Sequence, residues 1–265
     1  MRSLRSSTRL SATALVLALL AAAPSRALVT LPGGDLLLDG AFDEVAYGAT
    51  GLAWVSPLLF VGDLGTTRDA QSHALLTNLD YQYAVAGLGT PRMSVTYTIL
   101  NSDPAPFSDL RFMLEVQADG SDSFLDAVQM VWDAPANGDP VAFQVSDFSA
   151  PGGDLKESAI ANGLLDGTNA CAAAPCDVDF ALQWSLASLA AGQSWVITVG
   201  LSDDGSALSG RLLRADSVDT AGTHLTLSGV DTVVPEPGSR ALVLAGLAIL
   251  CVVRRHSRRI GASGC

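Results

Sequence analysis

Three aspartates in one loop are the residues of this chain whose types and spacing come closest to a metal site. The stretch ADGSDSFLDA, residues 118–127, places Asp119, Asp122 and Asp126 among glycine and serine. A calcium ion takes six to eight oxygen ligands, and flexible aspartate-rich loops supply them. The spacing does not follow the EF-hand order, and it lacks the glycine-rich repeat of calcium-binding β-rolls. The residues therefore indicate either a calcium site or a solvated turn.

Groups for nucleophilic catalysis are sparse. A catalytic serine or cysteine needs a base to activate it, and outside the two terminal segments only His73 and His224 carry an imidazole. Neither lies in a known motif, and no G-x-S-x-G, H-E-x-x-H or phosphate-binding loop occurs. Paired carboxylates hydrolyse glycosides, but the sequence specifies no such pair. We therefore assign no catalytic residue and predict that the chain is not an enzyme, with a secreted hydrolase as the less favoured alternative.

Two cysteines lie close together, as CAAAPC, in a loop of asparagine, glycine, alanine and proline. In an oxidising compartment such a pair is typical of a local disulfide. A zinc site would need two further ligands nearby, and the histidines are distant in sequence. The spacing therefore predicts a disulfide between Cys171 and Cys176.

The first 27 residues have the composition of a secretory signal peptide. Arginines at positions 2, 5 and 9 precede an apolar run over residues 10–23, and Ser25-Arg26-Ala27 places small residues at a signal peptidase site. The run has 14 residues, short of the roughly 20 that a membrane-spanning helix needs. We expect cleavage after Ala27.

The remaining body, residues 28–234, is strongly acidic. It contains 26 acidic and six basic residues, a net charge of −20, whereas the whole chain carries −12 because nine of its 15 basic residues lie in the terminal segments. A body of this charge repels nucleic acid and anionic membranes. Nucleic acid is therefore excluded as a partner. The charge itself indicates solubility or the binding of divalent cations.

Apolar residues recur in the body with a period of two, the pattern of strands that have one buried face. Turn-forming glycine, proline, asparagine and aspartate separate these runs at short intervals. The predicted strands lie near residues 35–42, 79–86, 93–99, 110–116, 128–132, 141–145, 180–186, 195–201 and 224–230. Eight to ten short strands of this kind predict two antiparallel sheets packed face to face, an all-β sandwich. Asp231 to Val234 is predicted as a short linker out of the last strand.

The segment after this linker combines three unusual features. Pro235 and Pro237 fix φ and lack backbone donors, so Pro235-Glu236-Pro237 is excluded from a helix interior or a central strand. An apolar run of 13 residues, 241–253, follows. As a helix it would be ~20 Å long, which is short for a ~30 Å hydrocarbon core. Arg254, Arg255, Arg258 and Arg259 come next, and the positive-inside rule keeps them cytoplasmic.

This order of proline-glutamate-proline, apolar run and arginine cluster resembles the PEP-CTERM protein-sorting signal, here over residues 232–259. The resemblance implies an exported protein whose tail is recognised and cut near the PEP motif by a membrane-embedded exosortase. Pro235, Glu236 and Pro237 would be the recognised motif. The apolar run would be a short transmembrane helix until cleavage, oriented by the four arginines. The body also resembles the immunoglobulin-like β-rich ectodomains that precede such tails.

The leading hypothesis is thus a signal peptide over residues 1–27, an exported immunoglobulin-like β-sandwich over residues 28–231, and a sorting signal over residues 232–259. The body would be non-catalytic and would act at the cell surface or in the extracellular matrix, without a cofactor unless calcium binds. Its partners would be signal peptidase, the exosortase and, before cleavage, the inner membrane. The alternative is a carbohydrate-binding module for matrix polysaccharide. Its candidate aromatic residues are Tyr47, Trp54, Tyr81 and Tyr83.

Overall fold

A computed structural model of the chain describes residues 43–62, 66–69, 78–119, 124–155 and 164–235. All twelve elements in these ranges are β-strands. Their bounds are β1 Asp43–Tyr47, β2 Gly51–Val61, β3 Thr66–Asp69, β4 Leu79–Ala86, β5 Arg92–Asn101, β6 Phe107–Asp119, β7 Asp126–Trp132, β8 Ala142–Asp147, β9 Val178–Leu189, β10 Gln193–Ser202, β11 Arg211–Ser217 and β12 His224–Pro235. The predicted signal peptide, the predicted strand at residues 35–42, His73, Asp122, and the tail from Glu236 onward lie outside the described residues.

The first sheet has the order β1-β2-β6-β9-β8, and β3 also pairs with β2. β1 and β3 share one edge of β2: β1 pairs with Gly51–Val55, and β3 pairs with Leu58–Val61. Pro57 falls in the gap between these two partners. A proline has no N–H to donate to a ladder. The gap between β1 and β3 therefore allows an internal strand to contain a proline.

The second sheet has the order β4-β5-β10-β12-β11-β7. Every pairing in both sheets is antiparallel. β12 is an internal strand with β10 on one side and β11 on the other, but β11 reaches only its first part, His224–Ser228. Within the described strands, the last residues of β12 therefore pair only with β10.

One core cluster contains residues from both sheets, which pack face to face. Tyr97 of the second sheet and Phe112 of the first approach with ring centroids 4.8 Å apart, and Phe112 also contacts Trp184. Trp184 and Trp195 are fully buried. The predicted all-β class and the two antiparallel sheets are confirmed, while the immunoglobulin-like assignment stays a prediction.

A second, smaller apolar cluster lies on the opposite, outer face of the first sheet. Leu58, Met113 and Ala181 come from β2, β6 and β9, and Leu155 and Leu165 come from the β8–β9 connection. All five side chains are buried. The connection thus covers part of a sheet face that would otherwise contact water.

The predicted linker Asp231 to Val234 is wrong, because β12 continues without a break to Pro235. Its residues pair with β10 from Gln193↔Pro235 to Ile197↔Asp231. β10 begins at Gln193 and so provides a pairing partner for all four of these residues. The pairing holds them extended although their sequence shows no clear apolar alternation. β12 therefore crosses the predicted domain boundary at residues 231 and 232.

Candidate functional site

The described part of the tail is the end of β12. Val233, Val234 and Pro235 lie opposite Trp195, Ser194 and Gln193 of β10. Val234 and Pro235 are exposed, whereas Val233 packs against the core. Pro235 is the last strand residue. The Pro-Glu-Pro sequence therefore starts at the point where backbone pairing ends.

A partly buried hydrogen bond fixes β12 just before this point. The Trp195 indole N–H donates to Asp231 Oδ2 at 2.6 Å, and the Asp231 backbone N–H donates to the Gly138 carbonyl at 2.8 Å. Burial raises the pKa of the Asp231 carboxyl, and the hydrogen bond from Trp195 acts in the opposite direction. This bond joins the base of the tail to the core.

Two of the three predicted calcium ligands lie near one buried phenol. Asp119 ends β6 and Asp126 begins β7, and Tyr47 of β1 is buried. The pKa of the Tyr47 hydroxyl is raised, first by burial and then by the negative charges of Asp126 and Asp119. Asp122 lies outside the described residues. The calcium site at these three aspartates therefore stays a prediction.

Cys171 and Cys176 are joined by a disulfide with a Cα–Cα distance of 5.6 Å. Both cysteines are buried in the core cluster. The Cys176 backbone also exchanges two hydrogen bonds with Asp126, at 2.9 and 3.1 Å. The disulfide thus fixes the loop that lies against the start of β7.

The structure brings together three other acids that the sequence analysis did not single out: Glu115, Asp154 and Asp179. Each offers one carboxylate oxygen such that all three oxygens lie within 4.8 Å of one another. Glu115 is on β6, Asp179 is on β9, and Asp154 belongs to the β8–β9 connection. Glu115 and Asp179 are almost fully buried, at 1% and 0% exposure. This carboxylate cluster lies on the outer face of the first sheet, beside the second apolar cluster.

Burial dominates the electrostatics of the carboxylate cluster. The pKa of the Asp179 carboxyl is raised well above its ordinary value, first by burial and then by the charge of Glu115. The Leu155 backbone N–H donates to Asp179 Oδ2 at 2.8 Å, which acts in the opposite direction. Three clustered carboxyl groups of this kind hold either shared protons or a cation.

Alternation placed Glu115 at a polar position of its predicted strand, and Asp179 just before the predicted strand at residues 180–186, so solvent exposure would be expected for both. The length of the β8–β9 connection was the sequence signal that could have predicted their burial. A connection of this length, containing its own leucines, covers a sheet face rather than leaving it to water.

The tryptophans and tyrosines do not form an exposed platform. The chain has four tryptophans and four tyrosines, all within the described ranges, and none is exposed. Tyr47 is buried, Trp54 is half-buried, and Tyr81 and Tyr83 are half-buried against the core. A flat stacking surface for sugar rings needs exposed aromatic faces. The four candidates for carbohydrate stacking therefore do not offer one.

His224 is the only histidine in the described residues. It is half-buried, and its pKa is lowered, first by burial and then by the charge of Arg214. Its Nε2 atom has no hydrogen-bond partner within the part of the chain that the structure describes. Within that part, no serine or cysteine is therefore paired with this nitrogen as a catalytic nucleophile would be.

No helix within the described ranges is long and apolar enough to cross a membrane. Comparison with curated proteins and with solved structures found no match. A family model does match residues 233–259, and its description is the PEP-CTERM protein-sorting motif. This motif implies export, processing by an exosortase and sorting to the cell envelope. Over residues 233–259, therefore, the chain carries a PEP-CTERM protein-sorting motif.

Proposed function

We propose that this chain is a non-catalytic structural or interaction protein of the cell surface or extracellular matrix, delivered there by exosortase processing. The sorting motif at residues 233–259 is the observation that carries the proposal. The signal-peptide composition of residues 1–27 supports the same route. So does the disulfide between Cys171 and Cys176, because such bonds persist in oxidising compartments.

The roles of the tail follow from its chemistry. Pro235, Glu236 and Pro237 form the recognised motif, which begins as the β12 ladder ends. The apolar run 241–253 holds the tail in the inner membrane before cleavage. The arginines at 254, 255, 258 and 259 keep the far end cytoplasmic.

We assign the body a binding or structural role because its most developed features are structural. Two sheets share one core, and a disulfide fixes the loop before β9. A net charge of −20 over residues 28–234 keeps such a surface soluble and repels anionic polymers. No specific observation favours the carbohydrate-binding alternative.

Intact mass of the protein recovered from each cell fraction of its native host tests the proposal. We expect material outside the inner membrane to have lost about 27 residues at one end and the tail near Pro235 at the other. In Glu236→Ala, the uncut precursor should accumulate in the inner membrane. Glu44→Ala is the matched control, because Glu44 is an exposed glutamate of β1 far from the tail in sequence.

Two results would contradict the proposal. An intact tail found only in the inner membrane would make residues 241–253 an ordinary anchor. Unchanged surface delivery of Glu236→Ala in cells with an active exosortase would remove the role assigned to the motif.

A further inference from the structure

The carboxylate cluster has a feature that a chance group of surface acids lacks: two of its three members are buried, and it adjoins a buried hydroxyl. Ser56 of β2 is fully buried, at 0% exposure, as is Asp179. Ser56 Oγ and Asp179 Oδ1 have no hydrogen-bond partner among the described residues. A buried polar atom without a partner costs free energy. Two such atoms at one place, neither satisfied by a described residue, favour a bound cation over a chance group of acids.

The strand register aims the Ser56 hydroxyl at the carboxylates. Ser56 lies directly opposite Glu115 across β2 and β6. Side chains of directly opposed residues point to the same face of a sheet. That face is the outer one, because Val55 and Leu114, the neighbours of Ser56 and Glu115, belong to the core between the sheets.

Asp179 reaches the same place from the other side of β6. Ala181 is the residue of β9 opposite Glu115, and Asp179 lies two positions before it, on the same face. This is a diagonal neighbour, within reach of an extended side chain. Asp154 completes the group from the β8–β9 connection. Three strands and one connection thus bring four oxygen-bearing side chains together.

We propose that Ser56, Glu115, Asp154 and Asp179 form a calcium site beneath the β8–β9 connection. Carboxylate and hydroxyl oxygens are the hard ligands that calcium takes in proteins. Nitrogen and sulfur ligands, which zinc and copper prefer, are absent from the group. Magnesium gives up its waters reluctantly, so a site with two fully buried ligands favours calcium.

Calcium would also join the connection to the sheet. Asp154 is the ligand outside the sheet, and the adjacent Leu155 packs on the second apolar cluster. Binding would therefore hold both residues against β6 and β9. This inference is independent of the sorting tail.

The test is isothermal titration of CaCl2 into the full-length chain, purified in detergent and freed of metal with EDTA. We expect saturable binding that Asp179→Asn weakens by more than about tenfold. At other metal sites, changing a residue that only hydrogen-bonds to a ligand already lowers the metal affinity by about that factor. Ser56→Ala should unfold at the same temperature as the wild type without calcium, because its hydroxyl has no partner to lose. It should nevertheless bind calcium more weakly.

Asp126→Asn is the matched control, because Asp126 is also a fully buried aspartate but lies outside the carboxylate cluster. Calcium binding that Asp126→Asn abolishes and Asp179→Asn leaves unchanged would move the ion to the loop of Asp119, Asp122 and Asp126 and overturn the proposal. Unchanged affinity in Ser56→Ala would overturn the ligand set. Absence of any binding, together with a lower unfolding temperature in Lys156→Met, would identify Lys156 as the counter-ion and overturn the site.

Discussion

Gly229 of β12 lies close against Trp184 of the first sheet, and replacing it with alanine should destabilise the protein. A Cβ atom there would lie 2.7 Å from the Thr198 carbonyl oxygen and 2.7 Å from Trp184 Cζ2. Neither neighbour yields easily, since one is backbone and Trp184 is fully buried. Overpacking in a core costs about 1–3 kcal/mol, and a rigid contact belongs at the upper end.

Part of this cost is offset. Alanine has less freedom than glycine in the unfolded chain, which returns about 0.4–1 kcal/mol. We therefore expect Gly229→Ala to lower the free energy of unfolding by about 2 kcal/mol, or the urea midpoint by about 1 M if the slope is about 2 kcal/mol/M. Tryptophan fluorescence, recorded as the urea concentration is raised, measures this midpoint.

Gly210→Ala is the control, because a Cβ at Gly210 has no atom within 4 Å. Its free energy of unfolding should stay within about 0.5 kcal/mol of the wild-type value. In a Trp184→Phe background, which removes one of the two atoms 2.7 Å from the new Cβ, the cost of Gly229→Ala should fall by about 1 kcal/mol. Equal midpoints for Gly229→Ala and Gly210→Ala would refute the close approach.

Three other expectations concern β12 and the disulfide. Asp231→Ala leaves the buried Trp195 indole without its acceptor, so urea titration should show a loss of about 1–3 kcal/mol, and a loss below that range would contradict the bond. Burial raises the pKa of Asp231 above 3.8, so the folded state binds this proton more tightly than the unfolded state does. The free energy of unfolding should therefore fall as the pH rises from about 4 through the raised pKa. The stability of Asp231→Asn relative to the wild type should therefore increase over that pH range, and a constant difference would contradict the burial effect. The disulfide between Cys171 and Cys176 closes a short loop, so its reduction should cost about 2 kcal/mol on a chain-entropy basis, and an unchanged midpoint in reducing agent would disprove it.

Strands with clean alternation were predictable from the sequence. The runs at residues 93–99, 110–116 and 195–201 correspond to β5, β6 and β10, and the predicted 79–86 matches β4. Each has one face on the core and one turned away, so a period of two marks the buried face.

β2 was not predicted, because its sequence GLAWVSPLLFV does not alternate and contains a proline. It is covered on both faces, by the core and by the second apolar cluster, so most of its positions are buried. Pro57 signals against a strand, and only the gap between β1 and β3 makes it acceptable. That gap depends on pairing between distant segments, which local sequence does not contain.

The tail was recognisable from sequence because its signal is linear: a motif, an apolar run and a charge cluster in order. The carboxylate cluster was not, because its members come from positions 115, 154 and 179. The register of β6 and β9 brings Glu115 and Asp179 together, and the β8–β9 connection adds Asp154.

The continuous course of β12 into the sorting motif has a mechanical consequence. A pull along β12 on the chain beyond Pro235 would load the ladder with β10, which extends from Gln193↔Pro235 to Ser202↔Thr226. The hydrogen bonds of an antiparallel pair lie perpendicular to the strands, so this force would act across all of them at once, in shear. The body would then resist extraction by its tail collectively, whereas an edge strand pulled sideways would open one bond at a time.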